Sequence, residues 1–473
     1  MQRIKRITLC IFFIVFFILF SCISLWRFNT GQVFYYDFGH FARILWLISR
    51  LLPPLINHKV LGEIHFFGDH FIPSLYLLAP LFWLTSKTQI LLVQQALATV
   101  IAGFLVYKIA EDEKLPFITS LIISFMFLLF AGVENPLVTD WHTESTAVVF
   151  LLLFIHLFFY RKRNMLAFLC AIIFMGLKDS NPLSFLFMLI PYFATQGAKR
   201  KEIIFYALFG LVWFLIGGYL ITPAVSKQPY LYSPVLPDKP WEFITNFVNL
   251  PIKRKLIFDS LASFGFLPIL SGVFLLPVIA ELSIRLVPTY IHSQSFTLGM
   301  HYNVFLGAFL TVATIKVFSF KDRICGKRLR IYASVVILLS SLFVAKKITR
   351  SPLLLAANPV FWNEWNTKSE LFDEITLIPV SGSVMSQNNI LPHLVQRREK
   401  IYLLSLDYKK FKPEWIVFDL APGQNINNYY SGEIRDIEQV KELKRRLLND
   451  DDYERVDTLY EYLYLFKKKM RHI

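Results

Sequence analysis

The sequence has 473 residues, of which 55% are hydrophobic and only 18% are charged, so its polarity is too low for one soluble globule of this size. The net charge of +15 comes from short basic clusters between apolar segments, which excludes the single basic face of a nucleic-acid-binding domain. Four cysteines without a regular spacing also exclude a disulfide framework, and we expect a protein of the lipid bilayer.

The first apolar segment, 7–26, is about 20 residues long, which matches the thickness of a bilayer. Basic residues precede this segment, and Ser21 and Ser24 form a poor signal-peptidase site. We therefore predict an uncleaved transmembrane helix with a cytoplasmic N-terminus, in a multi-pass protein of the cell (plasma) membrane.

Further apolar segments of spanning or near-spanning length follow, which predicts roughly 11 transmembrane helices in total. They lie at 89–108, 116–133, 144–160, 164–177, 182–196, 203–222, 258–270, 272–286, 301–318 and 330–346. The loops that this count places in the cytoplasm carry Lys or Arg beside the ends of the spans, in agreement with the positive-inside rule. Because Pro268, Pro277 and the Ser271–Gly272 pair interrupt 258–286, this segment is either two spans or one re-entrant hairpin.

We divide the chain into a multi-spanning membrane domain, 1–346, and a small extracytoplasmic α/β domain, 347–473. The membrane domain contains a large first outer loop, 28–88, in which apolar residues at helical spacing predict membrane-surface helices near 38–52 and 72–84. In the α/β domain, we predict strands at 384–386, 400–404 and 415–420, helices at 388–396 and 437–448, and a final hairpin at 453–467.

The first polar motif of the outer loop surrounds Asp37, at the start of the first predicted surface helix. At this lipid boundary, the Asp37 carboxylate beside His40 is placed to take a proton from an incoming hydroxyl group. Asp37 is equally suited to cap the N-terminus of the helix, a role that Asp often has. The residues alone leave both roles open.

A second polar motif, 65–71, ends the same loop and contains Asp69 and His70. Together with Asp37 and the histidines around them, these residues suit a divalent cation or a phosphate group. The pattern is loose, and solvated loop residues would give the same sequence. The cofactor is therefore unknown, with a divalent cation as one possibility and Asp37, Asp69 and His70 as its candidate ligands.

Two further motifs lie where apolar segments begin or meet on the same predicted side. His142 precedes the segment 144–160 and Glu144 begins it, and a carboxylate that enters a membrane helix is costly unless it faces a polar cavity. Lys178 and Asp179 form a charge pair between two apolar segments, either as a local salt bridge or as a contact for phosphate. These positions predict polar chemistry at the outer ends of the helices.

The motifs resemble, in this order, those of the domain-of-unknown-function family 2079, which are uncharacterised bacterial and archaeal membrane proteins. The resemblance covers most of the chain. It rests on Asp37-Phe38-Gly39, Asp69-His70-Phe71, Tyr76-Leu77-Leu78-Ala79-Pro80, Gln94-Gln95-Ala96, His142-Thr143-Glu144, Lys178-Asp179, His301-Tyr302 and Leu391-Pro392-His393-Leu394. This family resembles the C-type (GT-C) glycosyltransferases that use polyprenyl-phosphate sugars.

The resemblance implies a GT-C-like helical membrane protein that transfers a sugar from a polyprenyl-phosphate-linked donor to a glycan, lipid or protein acceptor on the outer face. It implies Asp37 as the catalytic base, with Asp69 and His70 as assisting catalytic residues. The substrate-binding residues would be His40, His142, Glu144, Lys178, Asp179, His301 and Tyr302. The sequence departs from the pattern of these transferases at two places. Asp37 is followed by Phe38 and Gly39, where many such transferases have paired acids. At positions 178 and 179 the sequence has Lys-Asp, where related members more often have Lys-Glu.

Two other classes of function stay open. A transporter or a lipid-handling protein would line a path across the bilayer with polar residues, whereas here only His156 among the histidines lies inside a predicted span. A non-catalytic membrane scaffold would use the α/β domain to bind partners. The absence of a P-loop, of a glycine-rich dinucleotide motif and of a Cys-X-X-Cys pair argues against chemistry with a soluble cofactor.

Overall fold

The structure of the chain, a computed structural model, describes residues 2–58, 61–289, 293–320, 327–363, 365–431 and 433–469. The chain forms two compact units, each built from segments that are distant in sequence. The helical unit comprises 1–21, 67–75 and 94–357, and the mixed unit comprises 22–66, 76–93 and 358–473. The predicted first outer loop therefore contributes to both units.

Seven helices in the described part of the chain are long and apolar enough to cross a bilayer. They are Gln2–Asn29, Gln89–Asp112, Thr143–Tyr160, Gly197–Ser226, Leu267–Leu286, His301–Phe320 and Arg328–Thr349. An eighth candidate is the pair Phe117–Leu129 and Ala131–Thr139, which is bent by 45°. Shorter apolar helices lie at Pro73–Leu84, Asn164–Met175 and Asn181–Thr195. The polytopic helical fold class predicted from the sequence is thereby confirmed.

The sequence predicted roughly 11 spans, and the described residues contain seven or eight candidate spans, for two reasons. The predicted spans 164–177 and 182–196 form helices of 12 and 15 residues, which are shorter than a bilayer is thick. The predicted division of 258–286 into two spans is not found, because the helix Pro251–Ala262 is rich in charged residues and ends before Gly265 and Phe266, which both have positive φ angles. Leu267–Leu286 then forms one candidate span, with a kink at Gly272.

Close helix packing fixes the start of the helix Val304–Phe320 in the helical unit. A Cβ atom on Gly307 would lie 2.8 Å from the Val133 side chain and 2.9 Å from the Phe130 ring, so only glycine permits this approach. Phe130 lies at the bend between the helices Phe117–Leu129 and Ala131–Thr139. The 3₁₀ turn His301–Asn303, which precedes Val304, is therefore held against the bend.

A buried ion pair joins three helices of the helical unit at the ends opposite to Thr143 and His301. The Lys316 ammonium lies 2.5 Å from Oε1 of Glu113. Oε1 also accepts a hydrogen bond from the Tyr160 hydroxyl, and Oε2 accepts one from the Ser319 hydroxyl. Burying a charge is costly unless it is paired and hydrogen-bonded, and this carboxylate has three donors. Because its groups satisfy one another, we assign this cluster to the stability of the bundle.

The mixed unit contains seven described strands in two sheets. A hairpin that the sequence analysis did not predict is formed by β1 (Leu55–His58) and β2 (Gly62–His65). A five-stranded sheet with the order β4-β3-β5-β7-β6 is formed by β3 (Val384–Ser386), β4 (Ile401–Leu403), β5 (Trp415–Asp419), β6 (Tyr453–Val456) and β7 (Leu463–Lys468). In it, β3 is parallel to β4 and β5, and β7 is antiparallel to β5 and β6. The predicted strands and final hairpin are present.

The remaining helices of the mixed unit lie at His40–Ser49, Leu81–Leu84, Pro359–Asn363, Trp365–Ile375, Tyr408–Phe411 and Ile437–Leu448. The last of these was predicted with the same bounds, and the Asp436 side chain caps it by accepting from the backbone N–H of Gln439. The predicted helix 388–396 is wrong, since only the 3₁₀ turn Leu391–His393 forms there. The Asn388 side chain instead bonds to distant backbone groups, which competes with helix formation.

Candidate functional site

The helical unit brings together predicted site residues from three separate segments of the sequence. Glu144 lies in the first turn of the helix Thr143–Ile155, and Lys178 lies in the turn between the helices Asn164–Met175 and Asn181–Thr195. The Lys178 ammonium forms an ion pair with Glu144 and lies 3.4 Å from Nε2 of His301. The same Nε2 atom lies 3.4 Å from Oε1 of Glu144. We call Glu144, Lys178 and His301 the ionic cluster.

The ionic cluster is extended by two aromatic rings. The imidazole rings of His142 and His301 stack, with their centroids 3.6 Å apart. The Lys178 ammonium also lies 5.5 Å from the centroid of the Tyr302 ring, within the range of a cation–π interaction. The backbone N–H of His142 donates to Oε1 of Gln95, so the residue before the helix is fixed by a buried amide. The sequence analysis named all of these residues except Gln95 as binding residues.

A second cluster in the helical unit is built around Asp179. Nδ1 of His70 lies 2.7 Å from Oδ2 of Asp179, and the Tyr230 hydroxyl donates to the same oxygen at 2.5 Å. The Tyr232 hydroxyl donates to Asp69 at 2.7 Å, and its ring stacks on His70. We call these five residues the carboxylate–tyrosine cluster. It brings together Asp69, His70 and Asp179, which the sequence analysis named in two separate motifs, and adds two tyrosines that it did not name.

Backbone packing holds the two parts of the carboxylate–tyrosine cluster in place. The backbone N–H of Ser74 donates to the carbonyl oxygen of Gly176 at 2.8 Å. A Cβ atom on Gly176 would lie only 2.2 Å from Oγ of Ser74, so the absence of a side chain is what allows the two segments to touch. This contact lies four residues after His70 and three residues before Asp179. The geometry of the His70–Asp179 pair therefore follows from a fixed backbone.

Burial and the neighbouring charges shift the pKa values of His70 and Asp179 in opposite directions. Burial alone would lower the pKa of His70, but the carboxylates of Asp69 and Asp179 raise that pKa above its ordinary value. Burial alone would raise the pKa of Asp179, but His70 and the hydrogen bonds from His70 and Tyr230 lower it overall. The ionised carboxylates therefore favour the protonated form of the imidazole, and the imidazole in turn favours the ionised form of Asp179.

The raised pKa of His70 predicts how stability depends on pH. A group whose pKa is higher in the folded state stabilises the protein fully below its unfolded pKa, and this contribution is lost as the pH rises through the folded pKa. The unfolding free energy of the detergent-solubilised protein should therefore fall as the pH rises above 6.5, the ordinary pKa of histidine. His70→Gln should flatten this fall, and His65→Gln should keep it. Equal slopes for the wild type and His70→Gln, measured by chemical denaturation, would contradict the assignment.

Arg285 is a buried cation that the predicted set of site residues does not contain. Its Nη1 atom donates to Oδ1 of Asn303 at 2.8 Å, and Asn303 lies in the same turn as His301. Within the described residues, the Nε and Nη2 atoms of Arg285 and the Nδ1 atom of His301 are buried without a hydrogen-bond partner. Such groups are rare in folded proteins, and a buried cation with unpartnered donors is suited to bind an anion. The sequence does contain a sign of this buried cation, because Arg285 follows Glu281 by four residues in an otherwise apolar helix, where charged residues are costly.

One group of described residues in the helical unit has the donor atoms for a metal ion. The ligand atoms of His142, Glu144 and His301 all lie within 4.8 Å of one another, and all three residues are buried. The predicted ligand set was different. Asp69 and His70 lie together, with 3.9 Å between Oδ1 and Nε2, whereas Asp37 belongs to the mixed unit. The predicted metal role of Asp37, Asp69 and His70 stays a prediction.

In the mixed unit, Asp37 lies in the single π-helical turn Tyr35–Gly39, immediately before the helix His40–Ser49. The N-cap positions of these two elements are occupied by Phe34 and Gly39, so Asp37 does not have the alternative capping role. Its carboxylate is exposed. The turn is anchored at Asn388, whose side-chain oxygen accepts from the backbone N–H groups of Tyr35 and Tyr36 at 3.0 and 3.3 Å. His40 packs its ring edge against Tyr35.

Comparison with known proteins identifies the family and the fold. The sequence model of the family described as "Predicted membrane protein (DUF2079)" matches residues 24–457. No curated protein sequence matches the chain. The structure is similar to ArnT from Cupriavidus metallidurans bound to undecaprenyl phosphate, with a TM-score of 0.51, 10% identity, and 97% of each chain covered. The similarity to ArnT from the same organism in the apo state has a TM-score of 0.50, 11% identity, and covers 95% of this chain and 97% of that one.

The two comparisons agree with the helical membrane architecture of the structure. Structural similarity at this low sequence identity shows a shared fold. The similarity extends over nearly the whole chain, including the small C-terminal sheet region. The family match covers the two clusters of the helical unit and the turn that carries Asp37. The chain belongs to the DUF2079 family of predicted membrane proteins, and its fold is that of ArnT, a GT-C glycosyltransferase.

Proposed function

We propose that the protein is a glycosyltransferase that moves a sugar from a polyprenyl-phosphate carrier to a glycan, lipid or protein acceptor on the outer face of the cell membrane. The observation that carries the proposal is the ionic cluster with Arg285 beside it. Buried cationic groups with unpartnered N–H donors are suited to a phosphate group. The similarity of the fold to ArnT, which was solved with undecaprenyl phosphate bound, supports a lipid phosphate as this ligand.

The proposed reaction forms one bond and breaks one bond at the anomeric carbon of the sugar. Asp37 takes the proton of the acceptor hydroxyl, the acceptor oxygen attacks the anomeric carbon, and the bond from this carbon to the phosphate oxygen breaks. The polyprenyl phosphate leaves with an additional negative charge. Lys178, Arg285 and His301 stabilise this charge as it develops, which is the general way in which preorganised donors accelerate such steps. The exposed carboxylate of Asp37 supports its role as the base.

The carboxylate–tyrosine cluster has a positioning role in this proposal. Asp179 follows Lys178 directly, and its bonds to His70 and Tyr230 restrain the turn that carries the Lys178 ammonium. Asp69 is restrained in the same way by Tyr232. Restraint of this kind matters because small displacements of a charged group from its productive position reduce the rate. In this scheme, Asp69 and His70 assist catalysis through Lys178.

The proposed orientation places the N-terminus in the cytoplasm and the domain 347–473 outside. It is supported by the helix Thr143–Tyr160, which carries Glu144 at its first turn and is followed at its other end by Arg161, Lys162 and Arg163. Basic residues at one end of a span favour the cytoplasmic side. The ionic cluster then faces the outer side, where lipid-linked sugars are used.

The contacts of His156, which lies within the span Thr143–Tyr160, do not favour transport. Nδ1 of His156 lies 2.7 Å from Asp112, and Asp112 also forms an ion pair with Arg161. All three residues lie at the ends of helices, next to basic residues, and satisfy one another. A polar pathway at the centre of the bilayer would instead need ionisable groups away from the helix ends.

Binding of the donor lipid tests the proposal without knowledge of the sugar. Undecaprenyl phosphate should raise the melting temperature of the purified protein in detergent. Arg285→Gln should weaken this binding about 10- to 100-fold, because hydrogen bonds to a charged group contribute about 1.5–3 kcal/mol. The matched control is Arg254→Gln, which removes an exposed arginine of the helix Pro251–Ala262. No lipid-induced shift in the wild type, or an equal shift in Arg285→Gln, would refute the assignment of the phosphate site.

A further inference from the structure

His142, Glu144 and His301 present the donor set of a divalent metal site. Two imidazoles and one carboxylate are the ligands of many zinc sites, and they also suit other divalent transition metals. Their ligand atoms lie within 4.8 Å of one another, so one ion could contact all three after small side-chain movements. All three side chains are buried, and the Nδ1 atom of His301 has no hydrogen-bond partner among the described residues.

The Lys178 side chain already brings a positive charge to this donor set. Its ammonium is paired with Oε1 of Glu144 and lies 3.4 Å from Nε2 of His301. These atoms belong to two of the three residues that would ligate the metal. The ammonium therefore lies within a few ångströms of Glu144 and His301, where a metal ion bound to both residues would also lie.

An ammonium and a divalent ion exclude each other in such a site. With Lys178 in place, the charge of Glu144 is neutralised by one cation. A divalent ion would have to displace the ammonium from Glu144 and leave it unpaired in a mostly buried position, next to a doubly charged neighbour. Without Lys178, the same ligands would hold a divalent ion with no competing charge.

We infer that the Lys178 ammonium takes the place of a divalent cation in the ionic cluster, and that its removal exposes a site for a zinc-class ion formed by His142, Glu144 and His301. This inference deepens the proposed function and rests on it in one respect: Lys178 then supplies at the donor phosphate the positive charge that a bound metal would supply. Sugar transfer by the wild type should accordingly need no divalent ion at His142, Glu144 and His301. The occupancy of the site itself is measurable without any transfer assay.

The test uses the full-length protein in detergent, with Co²⁺ and Zn²⁺ as probes. Wild type, Lys178→Met and Lys178→Arg are compared by equilibrium dialysis against Zn²⁺ and by the visible absorption of bound Co²⁺, which reports imidazole and carboxylate ligation. Lys178→Met should bind about one equivalent of ion, at least about 100-fold more tightly than the wild type. Lys178→Arg keeps the positive charge and should bind as weakly as the wild type.

Further variants separate ligation from nonspecific binding and from loss of folding. Adding Glu144→Gln to Lys178→Met should abolish the tight binding, since the carboxylate ligand is removed. If Lys178→Met does not fold, Lys178→Gln gives the same comparison with a neutral polar side chain, and restored folding by Zn²⁺ alone would also support the inference. Tight binding of one ion by the wild type would overturn it. A folded Lys178→Met or Lys178→Gln that binds no more tightly than the wild type would overturn it too, whether or not the protein transfers sugar.

Discussion

Replacing Lys178 with glutamine should reduce sugar transfer by about 100- to 1,000-fold, the usual cost of removing one preorganised donor from a developing negative charge. The ammonium of Lys178 is mostly buried and paired with Glu144, so its position is fixed before the substrate arrives. Its loss should lower kcat more than it raises KM, because the charge on the leaving phosphate is greatest in the transition state. The measurement is the initial rate of transfer from a labelled polyprenyl-phosphate sugar in membranes.

Two controls accompany this variant. Lys178→Arg retains a cation at the ionic cluster and should keep more activity than Lys178→Gln, although the different shape of the guanidinium makes full activity unexpected. Lys227→Gln removes an exposed lysine of the helical unit and should leave the rate unchanged. A folded Lys178→Gln that transfers sugar at the rate of the wild type would show that Lys178 has no part in stabilising the leaving group.

Replacing Asp37 with asparagine should abolish detectable transfer. General-base catalysis contributes about 100- to 10,000-fold, and asparagine has nearly the same size as aspartate but cannot accept the proton. The folding of the mixed unit should not suffer, because the carboxylate of Asp37 is exposed and forms no capping hydrogen bond. The lipid-binding shift should persist, since Asp37 is not assigned to the phosphate site. The variant therefore separates the loss of chemistry from the loss of binding.

The matched control for Asp37→Asn is Asp238→Asn, which makes the same change at another exposed position of a predicted outer loop. This control should transfer sugar normally. A second comparison is Asn388→Leu, which removes the side-chain acceptor for the turn that carries Asp37 and should lower the rate less than Asp37→Asn does. Undiminished transfer by Asp37→Asn would exclude Asp37 as the base.

The apolar helices and the polar residues at their ends can be predicted from the sequence because the underlying signals are local. Apolar segments as long as a bilayer is thick specify helices. Glu144, Lys178 and His301 lie at the ends of such segments, where polar side chains cost less free energy than at the centre of the bilayer. A shared membrane boundary then limits how far apart these ends lie in depth. The strands of the C-terminal domain were likewise visible as short buried apolar segments.

The contacts that the sequence did not predict join residues that are far apart along the chain. Tyr230 and Tyr232 bond to Asp179 and Asp69 from a loop without a regular pattern, and the turn at Asp37 is held by Asn388, more than 350 residues later. Arg285 is one arginine in an apolar helix, and its unpartnered donors become visible only when its surroundings are known. Such long-range pairs follow from packing, which no local pattern in one sequence encodes.

The predicted number of spans was also limited by what a local pattern can show. Hydropathy detected 258–270 as an apolar segment, but the helix Pro251–Ala262 begins earlier, carries several charges and ends before the left-handed residues Gly265 and Phe266. The position of the helix end depends on these backbone angles and on packing against neighbouring helices. Segment length alone therefore predicted more spans than there are helices long enough to be candidate spans among the described residues.

The central claim is that this GT-C-fold protein transfers a sugar from a polyprenyl-phosphate carrier. The most direct test supplies membranes that contain the wild type, Asp37→Asn or Lys178→Gln with a panel of labelled polyprenyl-phosphate sugars, and follows the label from the lipid to an acceptor. We expect transfer above the level of control membranes for at least one donor with the wild type, and loss of that transfer in both variants at equal expression. Equal transfer by the wild type and both variants, or no transfer from any donor by a wild type that is folded and abundant, would contradict the claim.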